Sequence, residues 1–173
     1  MLVKRISRAI RNVPDFPVPG VMFRDITPLL GNAELFRDVT DAMASAFATE
    51  GITHVAGIES RGFVLAAPVA QRLGAGFIPI RKKGKLPWKT LGKAYGLEYG
   101  TDQLEVHTDA CPRGSRVLIV DDVLATGGTA RASAGLIEEI GGAVVGLSFL
   151  ITLGALDGAS RLKGYRVERL VSF

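Results

Sequence analysis

The chain has 173 residues, enough for one domain of ordinary size, and 47% of them are hydrophobic and 22% charged, as in globular proteins. This composition excludes a disordered or collagen-like chain, and a single cysteine, Cys111, excludes an intrachain disulfide and a zinc cluster of cysteines. A reducing, cytoplasmic location is therefore expected. The longest apolar run, 143–151, is too short to span a membrane, so we expect no membrane partner.

The formal net charge is +4, and it is unevenly distributed along the chain. Residues 60–97 contain eight Lys and Arg residues and neither Asp nor Glu, so the rest of the chain carries a net charge of −4. A basic segment of this kind is typical of a site for a polyanion. The charge alone does not distinguish nucleic acid from a small phosphorylated molecule.

The first predicted elements are helical and are separated by a proline-rich segment. A spacing of four, four and three between apolar residues predicts a short amphipathic helix that ends at Pro14; these residues are Leu2, Ile6, Ile10 and Val13. Three prolines exclude regular structure from 14–20. Asn32 is a suitable cap for a second helix that ends before Gly51.

Short apolar strands then alternate with helices. The predicted strands are 53–58, 77–81, 116–122 and 143–151, and the predicted helices are 62–73 and 129–140. Continuously apolar strands separated by helices predict an α/β fold, with a central parallel sheet that is flanked by helices. Residues 82–107 interrupt this pattern because they are polar, basic and rich in glycine, and 103–107 alternates like a strand. We expect this segment to form a flexible basic lid or hood over a binding site.

The segment 117–129 carries the most specific chemical signal. An apolar strand runs into Asp121 and Asp122, and a turn of small residues, 125–128, leads into a helix. Ligands of open α/β sheets bind at the carboxyl ends of the strands, and a helix N-terminus with free backbone N–H groups favours a phosphate. Two carboxylates repel a phosphate and suit hydroxyl groups or a metal instead. A ligand that satisfies both features is a ribose 5-phosphate.

The same segment resembles a known family signature. Residues 120–129 resemble the phosphoribosyl-pyrophosphate motif of the type I phosphoribosyltransferases. Four further stretches, in the same order as in the family, narrow the resemblance to the adenine phosphoribosyltransferases: 15–27, 59–63, 81–87 and 97–100. The resemblance covers nearly the whole chain. It implies a single domain over 1–173, in which 1–31 contains the N-terminal helix and the base-binding segment and 82–107 is the lid loop.

The resemblance implies transfer of 5-phosphoribose from phosphoribosyl pyrophosphate to adenine, which yields AMP and pyrophosphate and uses Mg²⁺. The implied phosphate-binding residues are Ala125, Thr126, Gly127, Gly128 and Thr129, and the implied ribose-binding residues are Asp121 and Asp122. The implied pyrophosphate-binding residues are Ser60, Arg61, Gly62, Arg81, Lys82 and Lys85. Glu98, as general acid or base, and Tyr99 are the implied catalytic residues. The residues implied for adenine are Met22, Arg24 and Leu153, whereas Phe23 is expected in the core.

The resemblance implies no metal ligand from the protein itself, because Mg²⁺ would be held mainly through the substrate. It also implies a homodimer. Two alternatives remain: a phosphoribosyltransferase for hypoxanthine, guanine or xanthine, and a regulator that senses phosphoribosyl pyrophosphate without turning it over. No nucleic-acid partner is expected, because the basic N-terminal helix lacks the second helix of a helix-turn-helix.

Overall fold

The N-terminal region contains two small elements that pack beside the main sheet. The computed structural model describes residues 1–96 and 101–173. Helix α1 spans Leu2–Ala9, and the short strands β1 (Arg11–Val13) and β2 (Phe23–Asp25) pair antiparallel. The predicted continuation of the first helix to Pro14 is wrong. The backbone of Ile10 is extended, and Val13 pairs with Phe23 in strand β2. This pairing supplies backbone hydrogen-bond partners that one more helical turn would not supply.

Seven strands of the described residues form one sheet in the order β5-β6-β4-β3-β7-β8-β9. Their bounds are β3 His54–Ile58, β4 Gly76–Lys82, β5 Thr90–Gly96, β6 Thr101–His107, β7 Arg116–Leu124, β8 Ala143–Thr152 and β9 Val167–Ser172. The strands β4, β3, β7, β8 and β9 run parallel, whereas β5 and β6 form an antiparallel edge. The predicted parallel α/β sheet is confirmed, and the antiparallel edge is an addition to it.

Helices cover both faces of this sheet. The helices α2 (Thr27–Leu30), α3 (Ala33–Ser45) and α4 (Arg61–Leu73) lie on one face, and α5 (Gly128–Glu139) lies on the other. Asn32 caps α3 as predicted, since its side-chain oxygen accepts from the Leu35 amide at 3.0 Å. Two 3₁₀ turns, Gly154–Leu156 and Gly158–Leu162, connect β8 to β9. In the described part of the chain, no helix combines the length and apolarity needed to cross a membrane.

The predicted lid segment, 82–107, is largely a β-hairpin. The strand β6 was predicted in part, but β5 was not, because its glycines and lysine do not form an apolar pattern. Tyr95 lies directly opposite Asp102 in the hairpin, and Leu104 and Val106 are buried in the core shared with α5. The hairpin therefore sits as an edge of the sheet beside the N-terminus of α5.

Candidate active site

The acid pair lies at the carboxyl end of the central strand β7. This strand continues two residues beyond its predicted end, so Asp121 and Asp122 are held by strand geometry and not by a loop. Asp122 is buried, at 5% exposed, and its amide donates to Oδ1 of Asp121 at 2.9 Å. The first helical turn of α4 packs closely on the pair: a Cβ built at Gly62 would lie 2.7 Å from Oδ1 of Asp121. Gly62 therefore acts by leaving room for the carboxylate.

Burial changes the acidity of both carboxyl groups. Burial raises the pKa of Asp121 well above its ordinary value, and the neighbouring Asp122 charge adds to this effect. Burial also raises the pKa of Asp122, although the Arg61 guanidinium opposes the shift. In the ligand-free protein the pair is therefore poorly compensated. A ligand that brings hydroxyl donors or a developing positive charge would stabilise the ionised form of this pair.

Arg61 connects the acid pair to the N-terminal strands. Its Nε lies 2.8 Å from Oδ2 of Asp122, and its guanidinium carbon lies 4.8 Å from the centre of the Phe23 ring. The residue begins α4, and only Glu59 and Ser60 separate it from the end of β3, so the chain turns at the mouth of the cleft. Arg61, which was predicted for pyrophosphate, thus also contacts one of the two predicted ribose acids.

The segment 125–129 forms a tight turn at the N-terminus of α5. Gly127 has φ +80°, a conformation that favours glycine, and it precedes the first residue of the helix. A cavity of about 70 Å³ is lined by this turn, with Thr126, Gly127 and Thr129 among its walls. The backbone N–H groups at the start of a helix have no partner within the helix, so this turn is suited to bind a phosphate.

Gly158 supports this turn from behind and was not predicted as a site residue. A Cβ at Gly158 would lie 2.1 Å from the carbonyl oxygen of Ala125, and one at Gly127 would lie 2.4 Å from the carbonyl oxygen of Gly158. The two backbones are therefore in direct contact. The only signal in the sequence was a glycine in a polar stretch after a buried strand, which is too common to be informative.

Glu59 organises the basic residues at the end of β4. It accepts from Arg81 Nε at 3.1 Å and from the Lys82 amide at 3.0 Å, while Arg81 Nη1 donates to the carbonyl of Lys85 at 3.1 Å. Burial alone would raise the pKa of Glu59, but the Lys82 amide and the Arg81 guanidinium lower it below its ordinary value. Arg81 thus holds the turn after β4 through its contacts with Glu59 and with the Lys85 carbonyl. The side chain of Lys85 is exposed. Glu59 was missed as a site residue, although it directly follows a buried strand.

A cleft of about 390 Å³ brings the predicted groups together. Its walls include the predicted residues Ser60, Arg61, Lys82, Asp121, Asp122, Ala125 and Thr129. They also include residues that were not predicted for the site: Ile58, Glu59, Tyr95, Leu104 and Val123. Gly128 instead lines an adjoining cavity of about 430 Å³ between strand β5 and the start of α5. The cleft therefore joins a phosphate turn, an acid pair and cationic side chains.

The predicted base-binding residues lie to one side of this cleft. Met22 is about half exposed, and Leu153 is partly buried and packs on the core. The Arg24 guanidinium stacks 4.2 Å from the centre of the Phe173 ring and its Nη1 donates to Asn12. None of the three lines the cleft.

Phe23 lies between the base-binding segment and the cleft. It is partly buried and not in the core as expected, because it sits between Phe16, at 5.0 Å between ring centres, and Arg61. It thus connects the two regions. Glu98 and Tyr99, the predicted catalytic residues, lie outside the described residues.

Comparisons with known proteins agree with this geometry. Residues 26–169 match the family model of the phosphoribosyl transferase domain. An adenine phosphoribosyltransferase of Thermobifida fusca is 56% identical over 167 residues, which cover 96% of this chain and 95% of that protein. The crystal structure of adenine phosphoribosyltransferase from Rhodothermus marinus superposes with a TM-score of 0.96 at 52% identity, covering 99% of this chain and 98% of that one. The Saccharomyces cerevisiae enzyme, solved with an imino-altritol bisphosphate and adenine, gives 0.92 at 38% identity and covers 98% of both chains. With relatives of this name matching in sequence and in fold over nearly its whole length, this chain belongs to the adenine phosphoribosyltransferase family.

Proposed function

We propose that this chain transfers the 5-phosphoribosyl group of phosphoribosyl pyrophosphate to adenine and releases pyrophosphate and AMP. The observation that carries the proposal is a cleft in which Ala125 and Thr129, at the two ends of the helix-start turn, meet the acid pair and the side chains of Arg61 and Lys82. That arrangement matches the parts of the donor substrate in order: phosphate, sugar hydroxyls and pyrophosphate. Family membership supports adenine as the acceptor.

The 5′-phosphate binds the backbone N–H groups of 125–129, and the ribose hydroxyls donate to Asp121 and Asp122. As the bond from C1 to pyrophosphate lengthens, positive charge grows on the ribose ring. Two carboxylates that are already buried and fixed on a strand stabilise that charge without reorganising. The pKa values of Asp121 and Asp122 are raised because burial disfavours their ionised forms. Hydroxyl donors from the substrate reduce this cost of burying the two charges.

The pyrophosphate end lies toward Ser60, Arg61 and Lys82, where cations and backbone donors balance the charge of the leaving group. Arg81 acts there through the turn that it holds with Glu59, and Lys85 and Gly62 complete the pyrophosphate set. Arg61 and Lys82 each form an ion pair with an acid, with Asp122 and Asp102 respectively. Both side chains carry further N–H donors that can contact phosphate oxygens.

Mg²⁺ fits this site as an ion held mainly by the substrate. It prefers oxygen ligands, retains several waters and binds through one or two carboxylates together with phosphates. The cleft offers the carboxylates of Asp121 and Asp122 beside the space for the diphosphate. When bound, the ion supplies charge neutralisation for the leaving group.

The adenine site comprises Met22, Arg24 and Leu153, with Phe23 between them and Arg61. The main-chain groups of Val21 already bond to Val18 and Phe16, so those of 22–24 would supply the donor and the acceptor that the edge of adenine requires. Glu98 and Tyr99 enter the proposal through the family resemblance alone, Glu98 as the group that exchanges a proton with the purine and Tyr99 as a shield against water. A cytoplasmic location and a homodimer are part of the same proposal. Light scattering should give about 37 kDa, twice the 18.4 kDa of one chain, and 18.4 kDa would exclude the dimer.

The experiment that tests the function supplies radiolabelled adenine and phosphoribosyl pyrophosphate with and without Mg²⁺. We expect labelled AMP and pyrophosphate in equal amounts, with strong dependence on Mg²⁺. Tight binding of phosphoribosyl pyrophosphate without release of pyrophosphate would instead identify a sensing protein.

A further inference from the structure

Asp102 contacts two residues that line the cleft, although it does not line the cleft itself. Its Oδ2 lies 3.1 Å from Lys82 Nζ and accepts from the Tyr95 hydroxyl at 3.1 Å. Lys82 and Tyr95 both line the cleft of about 390 Å³, whereas Asp102 is not among its lining residues. One carboxylate oxygen thus touches a cation from β4 and a phenol from β5, the two strands on either side of β6.

The Asp102 carboxylate is itself fixed in orientation. Its Oδ1 accepts from the Gln103 amide at 2.8 Å, and Tyr95 lies directly opposite Asp102 in the hairpin register. The pKa of Asp102 lies below its ordinary value, first because of Lys82 and then because of the Gln103 amide. The pKa of Lys82 is raised, chiefly by Asp102. The ion pair is therefore fully charged at neutral pH.

The Lys82 side chain needs such a partner because it is long, flexible and 57% exposed. An ammonium group carries three N–H donors, so a contact with one carboxylate leaves donors free for phosphate oxygens. We propose that Asp102 is a positioning residue, which holds the Lys82 ammonium and the Tyr95 hydroxyl at the cleft wall for the pyrophosphate group of the donor substrate. This inference rests on the proposed function, because it assigns Lys82 to that group.

The test is a double-mutant cycle between Asp102→Asn and Lys82→Met, read through KM and kcat. Asp102→Asn is expected to raise KM for phosphoribosyl pyrophosphate about threefold or more, as loss of a charged contact does. The inhibition constant of pyrophosphate should rise by a similar factor, and KM for adenine should not change. In the Lys82→Met background, Asp102→Asn should have a clearly smaller effect on both values, because only the contact with the Tyr95 hydroxyl is then left to lose. Asp109→Asn, which removes the same charge from an exposed turn, is the matched control and should change none of them.

The outcomes separate the inference from the function on which it rests. Because the Lys82 side chain is 57% exposed, the ion pair contributes little to stability, and Asp102→Asn should fold and melt much like the parent protein, which circular dichroism can verify. A merely structural role would lower the active fraction, and hence kcat, without changing the KM for one substrate. An unchanged or lower KM for phosphoribosyl pyrophosphate, or an equal increase in the Lys82→Met background, would overturn the positioning role. If Lys82→Met itself leaves this KM unchanged, the proposed role of Lys82 is wrong.

Discussion

Arg61 Nε lies 2.8 Å from Oδ2 of Asp122, so the arginine that opens helix α4 compensates a buried acid at the end of strand β7. The carboxylate is only 7% exposed and the guanidinium 39%. This pair joins the predicted pyrophosphate and ribose regions through one contact. Removing either charge should therefore affect both stability and substrate binding.

Arg61→Met is expected to destabilise the ligand-free protein. It leaves the Asp122 carboxylate buried without the cation that compensates its charge, and the desolvation of such a group typically costs about 1–3 kcal/mol or more. Combining it with Asp122→Asn should recover most of the loss, because no charge then remains to be compensated. Urea denaturation of the parent, both single variants and the double variant measures this. An additive double variant would show that the contact does not couple the two residues.

Asp121→Asn is expected to stabilise the ligand-free fold while it weakens both turnover and binding of phosphoribosyl pyrophosphate. The pKa of Asp121 is raised in the folded state, so folding disfavours the ionised form. That cost is fully present above the folded-state pKa, decreases as the pH falls below it and is gone below the unfolded-state pKa. The gain in free energy of unfolding should therefore be larger at pH 8 than at pH 4.5.

Denaturation of the Asp121→Asn variant at the two pH values provides the measurement. Asparagine keeps the oxygen that accepts from the Asp122 amide, so the comparison isolates the charge. A loss of stability at pH 8 would contradict the raised pKa as the dominant effect.

Gly158→Ala is expected to distort the phosphate turn. The new Cβ would lie 2.1 Å from the Ala125 carbonyl oxygen and 2.9 Å from the Gly127 nitrogen, both of them backbone atoms that cannot rotate away. We expect AMP affinity to fall more than tenfold. The matched control is Gly154→Ala, where the nearest atom lies at 3.6 Å. Calorimetric titration with AMP makes the comparison, and equal affinities for the two variants would refute the packing argument.

The central part of the site could be predicted from the sequence because its signals are local. An apolar run, two acids, two glycines and a following helix placed Asp121, Asp122 and the turn 125–129 at one edge of the sheet. The partners of Arg61, Arg81 and Lys82 could not be predicted in this way. Their acids are distant in sequence or lie across strands, so only the assembled sheet brings them together.

The incorrect predictions for Val13, Phe23 and strand β5 also come from contacts with residues in other segments of the chain. Val13 fits a helical spacing, but pairing with Phe23 supplies a strand partner that periodicity does not reveal. Phe23 was expected in the core because it is aromatic. It lies instead between Phe16 and Arg61, where one face of the ring contacts a cation. Strand β5 was missed since its pairing with β6, and not its own composition, makes it a strand.

Glu98→Gln is expected to lower kcat strongly and to leave the affinity for phosphoribosyl pyrophosphate nearly unchanged. The amide cannot exchange a proton with the purine, but it does not alter the phosphate turn or the acid pair. Steady-state kinetics combined with equilibrium binding of phosphoribosyl pyrophosphate separates the two effects. A kinetically silent variant would exclude proton transfer by Glu98.

The most direct test of the central claim measures AMP and pyrophosphate formation from phosphoribosyl pyrophosphate with adenine, hypoxanthine, guanine and xanthine in parallel. A 6-oxopurine presents an acceptor where adenine presents a donor, so the base-binding segment should distinguish them. We predict stoichiometric AMP and pyrophosphate with adenine and a kcat/KM at least about a hundredfold lower with the other bases. Equal or faster turnover of hypoxanthine would contradict the assignment.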